Sequence, residues 1–180
     1  MKLKRRVITA LFAAMLCVLA PISVSVGPVP VSLGSFCVCV LALMTDRRCT
    51  LMALLLYVAL GAVGLPVFAG FVGGGHVLIG PTGGYLFGYI PLALTVSAVG
   101  GRGRSLFRLV AAMVLGYAVC YSLGAAWYAV SVNVSLKTAV AVGVLPFLPF
   151  DAIKIAMACA MKMLLGTRID GLIRYGEEER

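Results

Sequence analysis

Long apolar runs broken by short polar or glycine-rich segments set the pattern of this chain. The first run begins at Val7, directly after Lys2-Leu3-Lys4-Arg5-Arg6, and continues to about Val24. The second covers residues 31–44 and stops at Asp46-Arg47-Arg48, and the third covers residues 50–63. Residues 64–84 are different, with eight glycines and two prolines in 21 positions, a composition that a simple lipid-exposed helix does not tolerate. Further apolar runs span residues 85–99, 106–128 and 151–165, the last preceded by a broken stretch, residues 133–150, that carries Pro146 and Pro149. A helix needs about 20 apolar residues to cross a bilayer. The runs approach that length, and strict alternation is absent, so the pattern predicts an all-α polytopic membrane protein with six transmembrane helices in a single domain, residues 1–180. Residues 27–30, 64–84 and 133–150 are predicted as irregular segments between spans.

The charges orient this arrangement. Cytoplasmic loops are enriched in lysine and arginine. If both termini, the Arg47-Arg48 turn and the loop carrying Arg102, Arg104 and Arg108 are cytoplasmic, thirteen of the fifteen basic residues fall on that side. Only Lys137 and Lys154 remain. Alternate loops are thus basic and nearly charge-free, and both termini inside requires an even number of spans, which six fits. The first run extends too far, and ends on too poor a cleavage site, for a removed leader, so it is read as a retained span.

Composition agrees: 62% of residues are apolar and 12% charged, against about 25% charged in a soluble domain. The net charge of +9 lies in small clusters between spans rather than in an amphipathic or aromatic-interleaved stripe, which argues against nucleic-acid binding. The six cysteines (Cys17, Cys37, Cys39, Cys49, Cys120 and Cys159) are scattered without ligand spacing and read as buried free thiols. His76 is the only histidine, with no acidic or cysteine neighbour, so no metal is expected. The glycines of residues 80–84 lack the lysine that a phosphate-binding loop needs. No nucleophile–base pairing survives either, so the chain is not expected to be an enzyme.

Gly64-Leu65-Pro66-Val67-Phe68-Ala69-Gly70, followed by Gly80-Pro81-Thr82-Gly83-Gly84-Tyr85-Leu86, resembles the signature of the BioY family. Gly27-Pro28-Val29-Pro30-Val31 and Leu145-Pro146-Phe147-Leu148-Pro149-Phe150-Asp151, with Lys154 after it, match that family in order and spacing. The resemblance covers most of the chain. It departs from the family's pattern at Gly34, where a glutamine is common, at Phe150, where a glycine is usual, and in carrying Phe71 and His76. The resemblance implies the biotin-specific S component of an energy-coupling-factor (ECF) transporter. A separate transmembrane coupling subunit and ATPase subunits would then supply energy, with biotin as the transported ligand and no cofactor.

The candidate site residues follow from chemistry and resemblance together. The three irregular segments fall on the predicted outer side, where unwound backbone persists only if it lines a cavity. Asp151 and Lys154, three apart, share one face of the last span, and ionised residues inside a span are rare and mostly functional. A carboxylate can accept a ureido N–H of biotin, and an ammonium can donate to the ureido carbonyl or to the tail carboxylate. Gly83 and Gly84 would bring backbone N–H groups close to a ligand, Thr82 would add a hydroxyl, and Phe68 and Tyr85 would wall an apolar ring and chain. The same residues also suit a tight outer turn with core aromatics. Ala10 and Ala14 on the first span give a small-residue face for a partner helix. In the family such a face contacts the coupling subunit, although alanine is common in any membrane helix. The rival readings are an S component for another vitamin, a proton-coupled secondary transporter using Asp151, and a non-transporting scaffold.

Overall fold

The computed structural model describes residues 3–100 and 105–174; the basic segment at 101–104 and the tail after 174, both used in the charge argument, lie outside them. Helix α1 (Leu3–Leu19) is followed by strands β1 (Ser23–Ser25) and β2 (Pro30–Ser32). Then come α2 (Gly34–Met44), α3 (Arg47–Ala62), the short α4 (Gly75–Ile79), α5 (Gly83–Val99), α6 (Leu106–Val132) and α7 (Leu136–Gly143). A single 3-10 turn, Leu145–Phe147, leads into α8 (Leu148–Arg174). Two stretches are long and apolar enough to cross a membrane on their own, Leu106–Val132 and Leu136–Leu165, and α2 and α5 are shorter apolar helices.

Burial runs opposite to that of a soluble bundle. Leu55 on α3, Leu115 on α6, and Ile153 and Met157 on α8 are exposed, whereas Asp151, Lys154 and Lys162 are buried. An apolar exterior around a core that holds the charges is what a lipid environment requires.

The structure corrects the sequence reading in three places. The first run is not helical to Val24: α1 ends at Leu19, because Pro21 disfavours helical backbone at the residue before it. Val24 instead pairs with Val31 in a short antiparallel hairpin within an otherwise helical chain. The second run yields a helix only from Gly34, nine of whose eleven residues are buried. At about 16 Å it is a central helix too short to cross a bilayer alone. Residues 133–150 are largely ordered as helix: Asn133 caps α6 in the left-handed conformation, and Ser135 accepts a bond from the Thr138 N–H to open α7. α8 begins three residues before Asp151 because proline is tolerated in a first turn, so Pro149 does not delay it.

The glycine-rich connection between α3 and α5 is compact. Gly64, Gly70 and Gly74 adopt positive φ, as does Phe71 at the tip of a tight turn closed by the Phe68–Val72 bridge. The Gly70 N–H bonds to the Pro21 carbonyl at 3.0 Å, holding this connection against the hairpin at the end of α1. At the opposite end Asp46 caps α3 through the Cys49 N–H, and Arg5 of α1 reaches it at 3.7 Å.

The α5–α6 pair is built on glycine. A side chain at Gly84 or Gly88 of α5 would strike Trp127 or Cys120 of α6, and one at Gly116 or Gly124 of α6 would strike Leu92 or Tyr85 of α5. Glycines four apart on α5 and eight apart on α6 let the backbones approach closely, as small residues commonly do between membrane helices.

Candidate functional site

The hairpin, α2, α5, α6, the start of α8 and the connection after α3 converge on a cavity of about 90 Å³. Its polar corner is made by three helices. Lys154 of α8 donates to Asp151 Oδ1 at 3.3 Å and to Ser35 Oγ of α2 at 3.1 Å. Tyr121 of α6 donates a short hydrogen bond to Asp151 Oδ2. Both members of the ion pair are under a tenth exposed, Asp151 at 4% and Lys154 at 7%. Removing one partner from such a pair strands the other charge and costs about 3–5 kcal/mol. The pair therefore persists because each charge is held by further polar groups. Asp151 also sits in the first turn of α8, where the helix dipole favours a carboxylate.

Much of the remaining lining is aromatic. Tyr85 packs edge-on to Phe147 with ring centroids 6.3 Å apart and to Tyr121 at 6.4 Å, while Tyr117 and Tyr121 stack at 5.8 Å. The Tyr85 hydroxyl donates to the Gly143 carbonyl at 3.0 Å and so fixes its ring against α7. Phe68, from the connection after α3, closes the cavity from above Gly61, whose missing side chain leaves room for the Phe68 ring.

The expected site residues fall into two groups. Thr82, Tyr85, Phe68 and Lys154 line the cavity, and Asp151 is bonded to Lys154 at its edge. Gly83 and Gly84 do not line it. Gly83 packs against the Leu78 carbonyl with its N–H bonded to Gly80 O, and Gly84 receives the Trp127 side chain, so both serve helix packing. Ala10 and Ala14 lie apart from the site, exposed together on the outer face of α1 beside Leu11. His76 is exposed in α4, and no cluster of potential metal ligands occurs among the described residues. Of the positions departing from the family's pattern, Phe150 points outward, while Gly34 is closely surrounded by Ser32, Tyr89 and Ala20.

Tyr117, Tyr121 and Ser35 were not singled out from the sequence, yet Tyr121 and Ser35 build the polar corner and Tyr117 lines the cavity beside them. Tyr117 and Tyr121 are four apart with Cys120 between them, all on the cavity face of α6. That repeat of phenols within an apolar span was the available signal.

The arrangement suits a small neutral heterocycle carrying hydrogen-bond donors and an acceptor, set on an apolar body. The cavity lies below the roughly 300 Å³ at which ligand pockets begin, so its walls must part for such a ligand to enter.

Both the fold and the sequence have counterparts among known proteins. The fold superposes with a TM-score of 0.82, at 23% identity and over 91% of both chains, on the crystal structure of the S-component for biotin from an ECF-type ABC transporter. The biotin transporter BioY of Thermotoga maritima is 39% identical over 155 residues, 86% of this chain and 91% of that one. The probable biotin transporter BioY of Pyrococcus horikoshii is 39% identical over 171 residues, 95% and 99% of the two chains. The BioY family pattern matches residues 1–170, and the chain belongs to the BioY family.

Proposed function

We propose that this chain is the biotin-capturing membrane subunit of a vitamin-uptake transporter, with its cavity facing outward and both termini in the cytoplasm. α1, α2, α3, α5, α6 and α8 make the six passes, α2 together with the hairpin before it. The carrying observation is the buried Asp151–Lys154 pair, tied to α6 by Tyr121 and to α2 by Ser35, at the polar corner of a largely apolar cavity rich in aromatic rings. The ureido ring of biotin has two N–H donors and one carbonyl acceptor, which match a carboxylate and an ammonium side by side. Its thiophane ring and alkyl chain match the wall of Phe68, Tyr85 and Phe147. Thr82 supplies a hydroxyl from the rim, and Gly83 and Gly84 let α5 start close to the cavity. As membership of the family implies, energy comes from a coupling subunit and ATPases, with Ala10 and Ala14 on the face that docks the coupling subunit. The names of the relatives, both biotin transporters, support the same ligand.

Competition and energisation test this reading. Labelled biotin bound by the purified chain should be displaced by unlabelled biotin and not by thiamine, riboflavin or pantothenate. In proteoliposomes, biotin uptake should depend on ATP hydrolysis by partner subunits. Displacement by another vitamin would reassign the ligand, and uptake driven by a pH gradient without ATPases would favour the proton-coupled alternative.

A further inference from the structure

One buried polar atom beside the cavity stands without a hydrogen-bond partner among the described residues. The Tyr117 hydroxyl is buried and, among the described residues, makes no hydrogen bond. Its ring lines the cavity from α6, stacked on Tyr121 at 5.8 Å and 24°. Ser35 and Cys39 lie beside the hydroxyl without reaching bonding geometry, and Ser35 already accepts from Lys154. Its neighbour Tyr121, by contrast, is committed to Asp151. A buried hydroxyl left unpaired is costly, and native folds keep one chiefly where another species completes it.

We propose that the Tyr117 hydroxyl donates a hydrogen bond to the carbonyl oxygen of the bound heterocycle, sharing that oxygen with Lys154. The inference rests on the biotin reading and deepens it. Lys154 can only donate, and Asp151, with both oxygens engaged on one side, remains the acceptor for a ring N–H. The group that a phenol beside an ammonium best serves is therefore an acceptor with two lone pairs, which is the ureido carbonyl. Tyr117 would make α6 a direct reader of the ring, in addition to its indirect hold through Tyr121 and Asp151.

The test is equilibrium binding of biotin and of 2-thiobiotin, whose sulfur is a much weaker acceptor, to the parent chain and to Tyr117→Phe, with thermal melting of each apoprotein. One neutral hydrogen bond corresponds to about a three- to ten-fold loss of biotin affinity. The loss should shrink toward none for 2-thiobiotin, and the variant apoprotein should melt no lower than the parent, since it gives up an unpaired group. Equal biotin affinity in the two proteins overturns the proposal. So does an equal loss for both ligands, or a lowered apoprotein melting temperature with unchanged affinity, which would mark a structural hydroxyl. Failure of the parent chain itself to bind biotin would overturn the biotin reading and this inference with it, an outcome separate from the other three.

Discussion

Asp151 and Lys154 concentrate the chemistry at the scale of single residues, and their burial makes them unequal targets. Asp151→Ala would leave the ammonium of Lys154 facing an apolar wall, with a stability loss of about 3–5 kcal/mol. Asp151→Asn keeps the shape and an acceptor, so it separates recognition from folding. We expect Asp151→Asn to retain the fold by circular dichroism and size-exclusion chromatography while weakening biotin binding by at least ten-fold, as measured by titration. Gly61 gives a complementary prediction from packing. A methyl group there overlaps the Phe68 ring, so Gly61→Ala should displace that ring and lower stability by about 1–3 kcal/mol, read from thermal melting. Asp151 and Lys154 were legible in the sequence because charge is rare in a span. Tyr117 and Tyr121 were not, because an aromatic in an apolar run looks the same whether it faces lipid, core or cavity.

Between elements, the α5–α6 contact is the most closely packed part of the site, and the connection after α3 is the part expected to move on ligand entry. Gly84, Gly88, Gly116 and Gly124 let the two helices touch, and Gly124 lies under the Tyr85 ring. Gly124→Leu should push α5 from α6, detach Tyr85 from Gly143 and abolish binding; retained affinity in that variant would show that the contact does not position the site. The connection contributes Phe68, Val72, Val77 and Thr82 to the cavity but is held largely by local backbone bonds. Since the cavity must widen to admit a ligand, amide hydrogen exchange in residues 64–82 should slow on biotin binding more than exchange in α6. The positions of the long helices followed from their apolar runs. The hairpin did not, although Ser23-Val24-Ser25-Val26 alternates polar and apolar residues, because that short alternation sits at the end of a longer apolar run and reads as its last turn. Pro146 and Pro149 misled in the opposite direction: they mark breaks in a helix interior, but here each falls at the start of an element.

As a whole molecule, the chain keeps its ligand chemistry and its proposed docking face apart. The cavity lies among α2, α5, α6 and α8, whereas Ala10 and Ala14 are on the outer surface of α1. The Ala10→Leu and Ala14→Leu pair should therefore leave biotin affinity within two-fold of the parent while preventing copurification with the coupling subunit; loss of both together would mean that α1 shapes the cavity. The mostly helical plan was readable from run lengths, because a bilayer constrains sequence so strongly. The small size of the cavity was not, since it depends on how the rings of four elements interlock.

The central claim is that the corner built on Asp151 and Lys154 captures biotin, and calorimetric titration of biotin into the chain in lipid nanodiscs tests it most directly. The parent should bind one biotin per chain, and Lys154→Met, which preserves the length and packing of the side chain, should lose at least ten-fold in affinity while remaining folded. A parent that binds no biotin, or a Lys154→Met variant that binds it as tightly as the parent, would contradict the account.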